Sequence, residues 1–256
     1  GDLSSDVCSS DLWMLMESKM SIMVIGSTGS GKTTILNAIT GLINPDYKIF
    51  SVEDVAEINI KHENWFSLVS RVGFGNSGEG EIGLYDLIKS GVRHRTDYLV
   101  VGENRGSEAY VMFQAMATGH GGLCTMRADS LESASKGLQQ KPMDIPASYM
   151  SLMNCAIVIR RVKGQDGKST RKAISIQEII SSDSYHNAFM WDPKADYFNP
   201  QLEDSEMLGR ISSQTGRSMD EILEEFEKRK IILQWLVQRG VRAYDKVAEV
   251  IGKYYR

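Results

Sequence analysis

An eight-residue stretch near the start of the chain constrains its fold more than any other feature. Residues 26–33 have the sequence Gly-Ser-Thr-Gly-Ser-Gly-Lys-Thr, which matches the pattern G-x-x-x-x-G-K-[ST] in full. An apolar run at residues 20–25 precedes it, and a helix-forming run at residues 31–40 follows it. Glycines in this context let the backbone amides of a strand-to-helix loop point inward at phosphate oxygens. The sequence therefore predicts a phosphate-binding loop.

The last residues of this loop supply what a bound nucleoside triphosphate requires. Lys32 places a positive charge beside the β- and γ-phosphates, and the Thr33 hydroxyl is a ligand for Mg²⁺. The amino end of the following helix adds partial positive charge at the same place. The predicted cofactors are therefore ATP and Mg²⁺. The predicted nucleotide ligands in the loop are Gly26, Ser27, Thr28, Gly29, Ser30, Gly31, Lys32, Thr33 and Thr34.

Acidic residues follow two further predicted strands. Glu103 comes after four apolar residues and a glycine. A carboxylate at the end of a neighbouring strand is what a phosphate-binding loop needs to manage metal and water. We expect Glu103 to order the attacking water or to bind Mg²⁺, directly or through water. Glu53, Asp54 and Glu57 follow an earlier predicted strand, and acids at two strand ends of one sheet can converge on one site.

Four arginines lie close in sequence to the glycine-rich residues 73–80 or to Glu103. Phosphoryl transfer needs positive charge at the γ-phosphate, and a neighbouring subunit often supplies it through an arginine. Each of these residues is also typical of an ordinary surface ion pair, so both interpretations stay open. The four are Arg71, Arg93, Arg95 and Arg105.

Composition narrows the classes of function. The chain has 29 basic and 33 acidic residues and a net charge of about −4, so no nucleic-acid partner is expected from bulk charge. Three cysteines without a C-x-x-C pair favour a reducing compartment. Four histidines scattered along the chain make a zinc site implausible. The longest charge-free run, residues 109–126, is too polar for a lipid-facing helix.

The order of predicted elements indicates the fold class. Strands alternate with helices as far as residue 126, which predicts an α/β fold with a mainly parallel sheet. Residues 155–162 and 172–180 predict an antiparallel β-hairpin. From Leu202 onward the chain is predicted to be helical, and Ser218 with Glu221 predicts a capping box at the start of one helix.

Four sequence blocks in order make the chain resemble the C-terminal ATPase domain of the type II/type IV secretion ATPase superfamily. The resemblance is strongest to the archaeal branch, which powers archaella and archaeal type IV pili. It implies a RecA-like P-loop NTPase core and extends from Trp13 to the end of the chain. The blocks are the Walker A motif at residues 26–34, the Asp box at 52–65, the atypical Walker B motif at 97–109 and the His box at 117–129.

The resemblance also assigns roles to individual residues. Glu103 matches the Walker B glutamate, Glu53 and Glu57 match Asp-box acids, and His120 matches the first His-box histidine. Arg93 and Arg95 match an arginine pair that the family places at the subunit interface. The catalytic residues implied are Glu103, Glu53, Arg93 and Arg95; His120 joins the loop as a nucleotide ligand, and Thr33 and Glu103 are the Mg²⁺ ligands.

This sequence departs from the family pattern at two positions. Arg127 stands where the family has a second His-box histidine, and Thr96 replaces the usual proline before the Walker B strand. The family's N-terminal domain is expected to be missing from this sequence, so this chain alone is expected to bind ATP but to turn it over poorly.

We expect three segments in the chain. Residues 13–181 form the P-loop ATPase core, and residues 182–256 form a C-terminal helical extension of the same domain. Residues 1–12 are rich in serine and aspartate, nearly repeat themselves, and resemble a translated sequencing adapter. They are therefore expected to be non-native and to add nothing to stability.

The function implied by the resemblance is that of an ATP-hydrolysing motor for type IV pilus-like filaments or type II secretion. Its implied partners are further copies of the chain, in a hexameric ring of the full-length protein, and a polytopic membrane platform protein. Its implied location is the cytoplasm, at the inner face of the cytoplasmic membrane. Two alternatives stay open: a conjugation or effector-secretion ATPase, and a nucleotide-binding interaction module without efficient hydrolysis.

Overall fold

A computed structural model describes residues 3–73, 80–163, 167 and 169–255. Most of the predicted glycine-rich loop at residues 73–80, and most of the predicted hairpin turn at 163–168, fall outside these residues. Among the described residues, no helix is both long and apolar enough to cross a bilayer.

The described elements alternate as the sequence predicts and then continue differently. In chain order they are α1 (Leu3–Glu17), β1 (Ile22–Gly26), α2 (Lys32–Thr40), β2 (Ile49–Glu53), β3 (Trp65–Val69), α3 (Leu84–Arg93), β4 (Tyr98–Val101), α4 (Glu108–Ala117), β5 (Gly121–Met126), α5 (Leu131–Gln139), a 3₁₀ turn (Ala147–Leu152), β6 (Cys155–Lys163), β7 (Ser169–Ile179), β8 (Tyr185–Asp192), β9 (Tyr197–Pro200), α6 (Glu206–Thr215), α7 (Met219–Gln238) and α8 (Tyr244–Tyr254).

The nine described strands form one sheet in the order β3-β2-β4-β5-β1-β6-β7-β8-β9. The six strands from β3 to β6 run parallel, whereas β7, β8 and β9 are antiparallel to their neighbours. Successive residues of a strand point to opposite faces, and in β1 the pair Ile22 and Val24 enters one apolar core while Met23 and Ile25 enter the other. Both faces of the central strands are covered, as parallel sheets require.

The C-terminal third differs from the predicted helical extension of residues 182–256. β8 pairs with β7 and β9 pairs with β8, so the start of this segment continues the sheet. Helices begin only at Glu206, and α7 carries the predicted capping box, with both hydrogen bonds between Ser218 and Glu221 present. The strand β3 was also not predicted, because its residues 66–69 are exposed and it lies at the sheet edge.

The first helix includes most of the segment predicted from the sequence to be non-native. It begins at Leu3, and its residues Cys8 and Leu12 are buried in the same core cluster as Trp13. α1 packs against α7 and β9. Residues 8–12 therefore pack on the domain, which argues against the expectation that this segment adds nothing to stability, whereas the non-native origin of residues 1–12 stays a prediction.

Candidate active site

The carboxyl ends of four parallel strands bring the main sequence motifs together. β1, β2, β4 and β5 run in the same direction, so the segments that follow them meet at one edge of the sheet, where ligands of open α/β sheets bind. A cleft of about 490 Å³ lies there. Its lining comprises Thr28, Gly29, Gly31, Lys32, Thr33, Thr34, Glu53, Asp54, Val55, Glu57, Gly102, Glu103, Arg105, Thr125, Arg127 and Arg171.

The phosphate-binding loop connects β1 to α2 as predicted. Gly31 caps α2 with a φ of 99°, in the left-handed region that favours glycine. Gly26 approaches the neighbouring strand so closely that a Cβ there would lie 2.6 Å from the carbonyl oxygen of Ile159. These two glycines allow the loop to turn tightly between β1 and α2. The first amides of α2 have no partner within the helix and are therefore available to a ligand.

Lys32 is a buried cation at the floor of the cleft. It is only 8% exposed, and its Nζ donates to the carbonyl oxygen of Ser27 at 3.2 Å. Burial lowers the pKa of Lys32, and the carboxylate of Glu103 partly opposes that shift. A phosphate group arriving in the cleft would stabilise the charged form of Lys32 for the same reason.

Glu103 lies between two cations. Its Oε1 is 3.8 Å from Nζ of Lys32 and accepts a hydrogen bond from Nε of Arg127 at 3.1 Å. The carboxylate is therefore held at the cleft while it remains partly exposed to water. This is the position that a residue ordering an attacking water requires, within hydrogen-bond reach of the space beside Lys32.

The acids after β2 divide into two roles. Glu57 accepts a hydrogen bond from the Thr33 hydroxyl at 3.0 Å, so it reaches the predicted Mg²⁺ ligand. Glu53 is buried, and its Oε1 accepts the amides of Glu57 at 2.9 Å and Ile58 at 2.8 Å. Burial raises the pKa of Glu53, although these two amides oppose the shift. Glu53 thus lines the cleft and also positions the segment that carries Glu57.

Two further contacts hold the segments at this edge together. Arg105 forms an ion pair with Asp54, and both line the cleft. The Thr125 hydroxyl donates to the carbonyl oxygen of Gly102 at 2.7 Å, which ties β5 to the segment before Glu103. The sequence placed Arg105 near the active site, and the structure brings it there.

Three predicted site residues lie elsewhere in this chain. Arg93 ends α3, and Arg95 precedes β4 with a φ of 52°. His120 precedes β5 and contacts the carbonyl oxygen of Ala115 and the Thr118 hydroxyl, each at 3.1 Å. All three are therefore at the amino edge of the sheet, opposite the cleft. The prediction that His120 binds nucleotide is corrected accordingly for this chain's own cleft.

Arg71 also lies apart from the described cleft lining. Its backbone pairs with Ile82, and its Nε donates to the carbonyl oxygen of Gly80 at 2.8 Å. These contacts match the ordinary structural role that the sequence left open for this residue.

Sequence reasoning missed two arginines on the β6–β7 hairpin. Arg161 donates to the carbonyl oxygen of Gly29, with Nη2 at 3.0 Å and Nε at 3.3 Å, and Arg171 lines the cleft. The hairpin itself was predicted, but the strand pattern does not say which loop its cationic residues face. Arg127, noted only as a departure from the family pattern, also lines the cleft.

The donor set at the mouth of the cleft fits a magnesium ion. The Thr33 hydroxyl and the carboxylates of Glu57 and Glu103 are oxygen ligands, which Mg²⁺ prefers, and few protein ligands suffice because Mg²⁺ keeps several waters and binds phosphate oxygens. Thr33 and Glu57 are already within hydrogen-bond distance of each other, so both can reach one ion.

Comparisons with known proteins give consistent matches. The family model described as "Type II/IV secretion system protein" matches residues 9–185. The uncharacterised protein MJ1287 of Methanocaldococcus jannaschii is 42% identical over 229 residues, which cover 87% of this chain and 84% of that protein. The conjugal transfer protein TrbB of Rhizobium radiobacter is 32% identical over 177 residues, which cover 67% of this chain and 51% of TrbB.

One solved structure shows the same fold. The VirB11 ATPase from the Brucella suis type IV secretion system, in complex with sulphate, superposes with a TM-score of 0.54 at 24% sequence identity. The match covers 65% of this chain and 50% of that one. The chain therefore spans most of MJ1287 but about half the length of TrbB and of VirB11.

Proposed function

This chain belongs to the type II/IV secretion system protein family, and we propose that it binds and hydrolyses Mg-ATP as the motor of a filament-assembly or secretion machine. Membership confirms the resemblance stated from the four sequence blocks. The observation that carries the proposal is the convergence of Lys32 and Glu103, 3.8 Å apart. A phosphate-binding cation and a water-ordering carboxylate must share one cleft for hydrolysis to occur there.

The proposed chemistry follows from the contacts in the cleft. Lys32 exchanges the Ser27 carbonyl for oxygens of the β- and γ-phosphates, and the amides at the start of α2 bind the same phosphates. Thr33 and Glu57 hold Mg²⁺, which when bound neutralises charge on the β- and γ-phosphates. Glu103 accepts a hydrogen bond from the water that attacks the γ-phosphate and so orients it.

The kind of machine that the ATPase drives is a separate question from ATP hydrolysis, and we propose filament assembly. The pilus or archaellum role rests on the resemblance of the four sequence blocks to the archaeal branch, and the uncharacterised M. jannaschii relative, which matches 87% of this chain, is consistent with that branch without indicating a role. The match to a conjugal transfer protein favours the alternative of a conjugation or effector-secretion motor. The genes beside this one separate the two, because a pilin or archaellum component supports the first and conjugation genes support the second.

Assembly into a ring is part of the same proposal. Arg93 and Arg95 are exposed at the amino edge of the sheet, so they are placed to act on a site in another copy of the chain. We expect a homohexamer in the full-length protein, docked on a polytopic membrane platform protein at the cytoplasmic face of the membrane.

Steady-state ATP hydrolysis tests the proposal directly. The assay compares the full-length wild-type protein with its Glu103→Gln variant, which keeps the side-chain shape but removes the acceptor charge. We expect turnover to fall by about 10²-fold or more, with Mg-ATP affinity retained, because general-base or water-orienting groups contribute on this scale.

Glu132→Gln is the matched control, since Glu132 is an exposed acid paired with Lys136 on α5. Its turnover should equal that of the wild type. Mg-ATP binding without turnover by the full-length wild-type protein would instead support the interaction module that does not hydrolyse ATP.

A further inference from the structure

Two arginines face each other directly across the β6–β7 hairpin, beside the phosphate-binding loop. The antiparallel register pairs Arg161 with Arg171, and directly opposed residues of two strands share one face of the sheet. Like charges in such a pair destabilise the sheet. An anion bound beside the pair would relieve this repulsion.

Both side chains reach the loop that binds phosphate. Arg161 donates to the Gly29 carbonyl, and its Nη2 lies 2.6 Å from where a Cβ of Gly29 would be. Arg171 lines the cleft, and its Cδ lies 3.4 Å from the equivalent Cβ position of Gly31. The two arginine side chains thus approach the same loop from the hairpin side of the sheet, whereas the acids belong to β2 and to the segment after β4.

We propose that Arg161 and Arg171 bind the polyphosphate of the nucleotide held by the loop, as a second set of phosphate ligands supplied by the hairpin of the same chain. Guanidinium groups suit this role because their fork of N–H donors matches phosphate oxygens. Arg161 exchanges the Gly29 carbonyl for a phosphate oxygen, and the repulsion between the two arginines is relieved when nucleotide binds. This inference rests on the proposed nucleotide site and names residues that complete it.

The hairpin contains its own control for net charge. Arg160 and Lys172 form the next cross-strand pair and point to the opposite face, since successive side chains alternate. Arg160 donates to the carbonyl oxygen of Asp129 at 2.9 Å. Arg160→Gln therefore removes the same charge from the same strand without touching the loop.

Calorimetric titration with Mg-ATP, Mg-ADP and inorganic tripolyphosphate tests the inference. Arg161→Gln and Arg171→Gln should each weaken binding of all three ligands by about tenfold, the scale of one charge-assisted contact. Arg160→Gln should bind as the wild type does. Loss of affinity for the nucleotides with unchanged tripolyphosphate binding would overturn the phosphate assignment, since the arginines would then contact the base or ribose.

Thermal unfolding separates ligand binding from a structural role. Without nucleotide, Arg171→Gln should unfold at the wild-type temperature or higher, because one of two opposed like charges is gone. With Mg-ATP its gain in melting temperature should be smaller than that of the wild type. A lower melting temperature without nucleotide, together with unchanged affinity, would show that the arginine only supports the hairpin and would overturn the inference.

Lys32→Ala distinguishes this inference from the proposed function. If the wild type binds Mg-ATP and Lys32→Ala does not, but both arginine variants bind normally, the nucleotide site stands and the hairpin ligands are wrong. If the wild type binds neither Mg-ATP nor tripolyphosphate, both proposals fail.

Discussion

The two edges of the sheet differ in how their charged residues are matched. At the carboxyl edge, Oε1 of Glu103 lies 3.8 Å from Nζ of Lys32 and 3.1 Å from Nε of Arg127, so one chain assembles the cleft. At the amino edge, Arg93 and Arg95 are exposed. A strand of four residues such as β4 is about 13 Å long, which puts these arginines out of reach of their own cleft. If Arg93 and Arg95 act on a nucleotide, it is therefore one held by another copy of the chain, as proposed above.

The largest expected effect tests whether the amino edge acts on a neighbour. Arg93→Ala/Arg95→Ala should reduce hydrolysis in the assembled full-length protein by on the order of 10³-fold, because an arginine supplied in trans offsets charge in the transition state. The rate of the wild type should also rise more steeply than linearly with protein concentration.

Mixing two inactive variants tests whether the arginines of one subunit act on the cleft of another. The Lys32→Ala variant has an inactive cleft and intact Arg93 and Arg95. The Arg93→Ala/Arg95→Ala variant has an intact cleft and lacks both arginines. A mixture should regain activity wherever an intact cleft faces an intact arginine. If mixed rings form and stay inactive, the arginines act within their own subunit or only hold structure.

The next largest effect concerns the carboxyl edge itself. Lys32→Ala should weaken Mg-ATP binding roughly tenfold to a hundredfold, since a charge-assisted contact of this kind contributes about 1.5–3 kcal/mol. Calorimetric titration measures the loss. Unchanged affinity would contradict the assignment of the phosphate-binding loop, independently of the results for Arg93 and Arg95.

A buried acid in α1 should make the stability of the chain depend on pH. Asp11 is fully buried in α1, and neither of its carboxyl oxygens has a hydrogen-bond partner within the described part of the chain. Burial raises the pKa of Asp11 to about 8, with Glu178 adding to the shift. The unfolded chain has an ordinary value near 3.8, so between about pH 4 and pH 8 unfolding releases a proton. Stability should therefore fall as pH rises through this window.

Asp11→Asn keeps the side-chain shape and removes the titration. Its melting temperature should exceed that of the wild type near pH 8 and approach it near pH 4. Each kcal/mol of difference in the free energy of unfolding corresponds to about 2–4 °C. Melting curves at several pH values measure this. A difference that stays constant with pH would show that Asp11 is not buried as an acid.

The smallest expected effect separates His120 from the cleft. His120→Ala should leave the affinity for Mg-ATP of the isolated chain unchanged, because its ring contacts Ala115 and Thr118 at the amino edge. Titration of the isolated chain checks this. A clear loss of affinity would mean that the histidine reaches nucleotide after all and that the two edges are not separate.

Most of the carboxyl edge could be predicted from sequence, because each motif there follows directly after a strong strand pattern. The motif at residues 26–33 and the position of Glu103 after β4 specify the cleft through local geometry. The roles within the acidic cluster could not be separated in this way. Only the fold shows that Glu53 holds two amides while Glu57 reaches Thr33.

The wrong or missing predictions have three different causes. β3 and β9 are short edge strands, so they lack the buried apolar pattern that makes a strand visible in sequence. The serine- and aspartate-rich start of α1 has no clear apolar period, and its helix is stabilised by packing against α7 and β9. His120 was assigned by resemblance, which carries no information about which edge of the sheet it occupies within one chain.

The sequence by itself determined the α/β class, the phosphate-binding loop and the acid that serves it, because these depend on local patterns and on the shared direction of parallel strands. Tertiary structure decided which charges meet. Arg161 lies 132 residues from Gly29, to which it donates, Arg171 lines the same cleft, and Asp11 is buried only because distant elements cover it. Contacts of this kind depend on how the sheet is ordered, and no local pattern encodes that order.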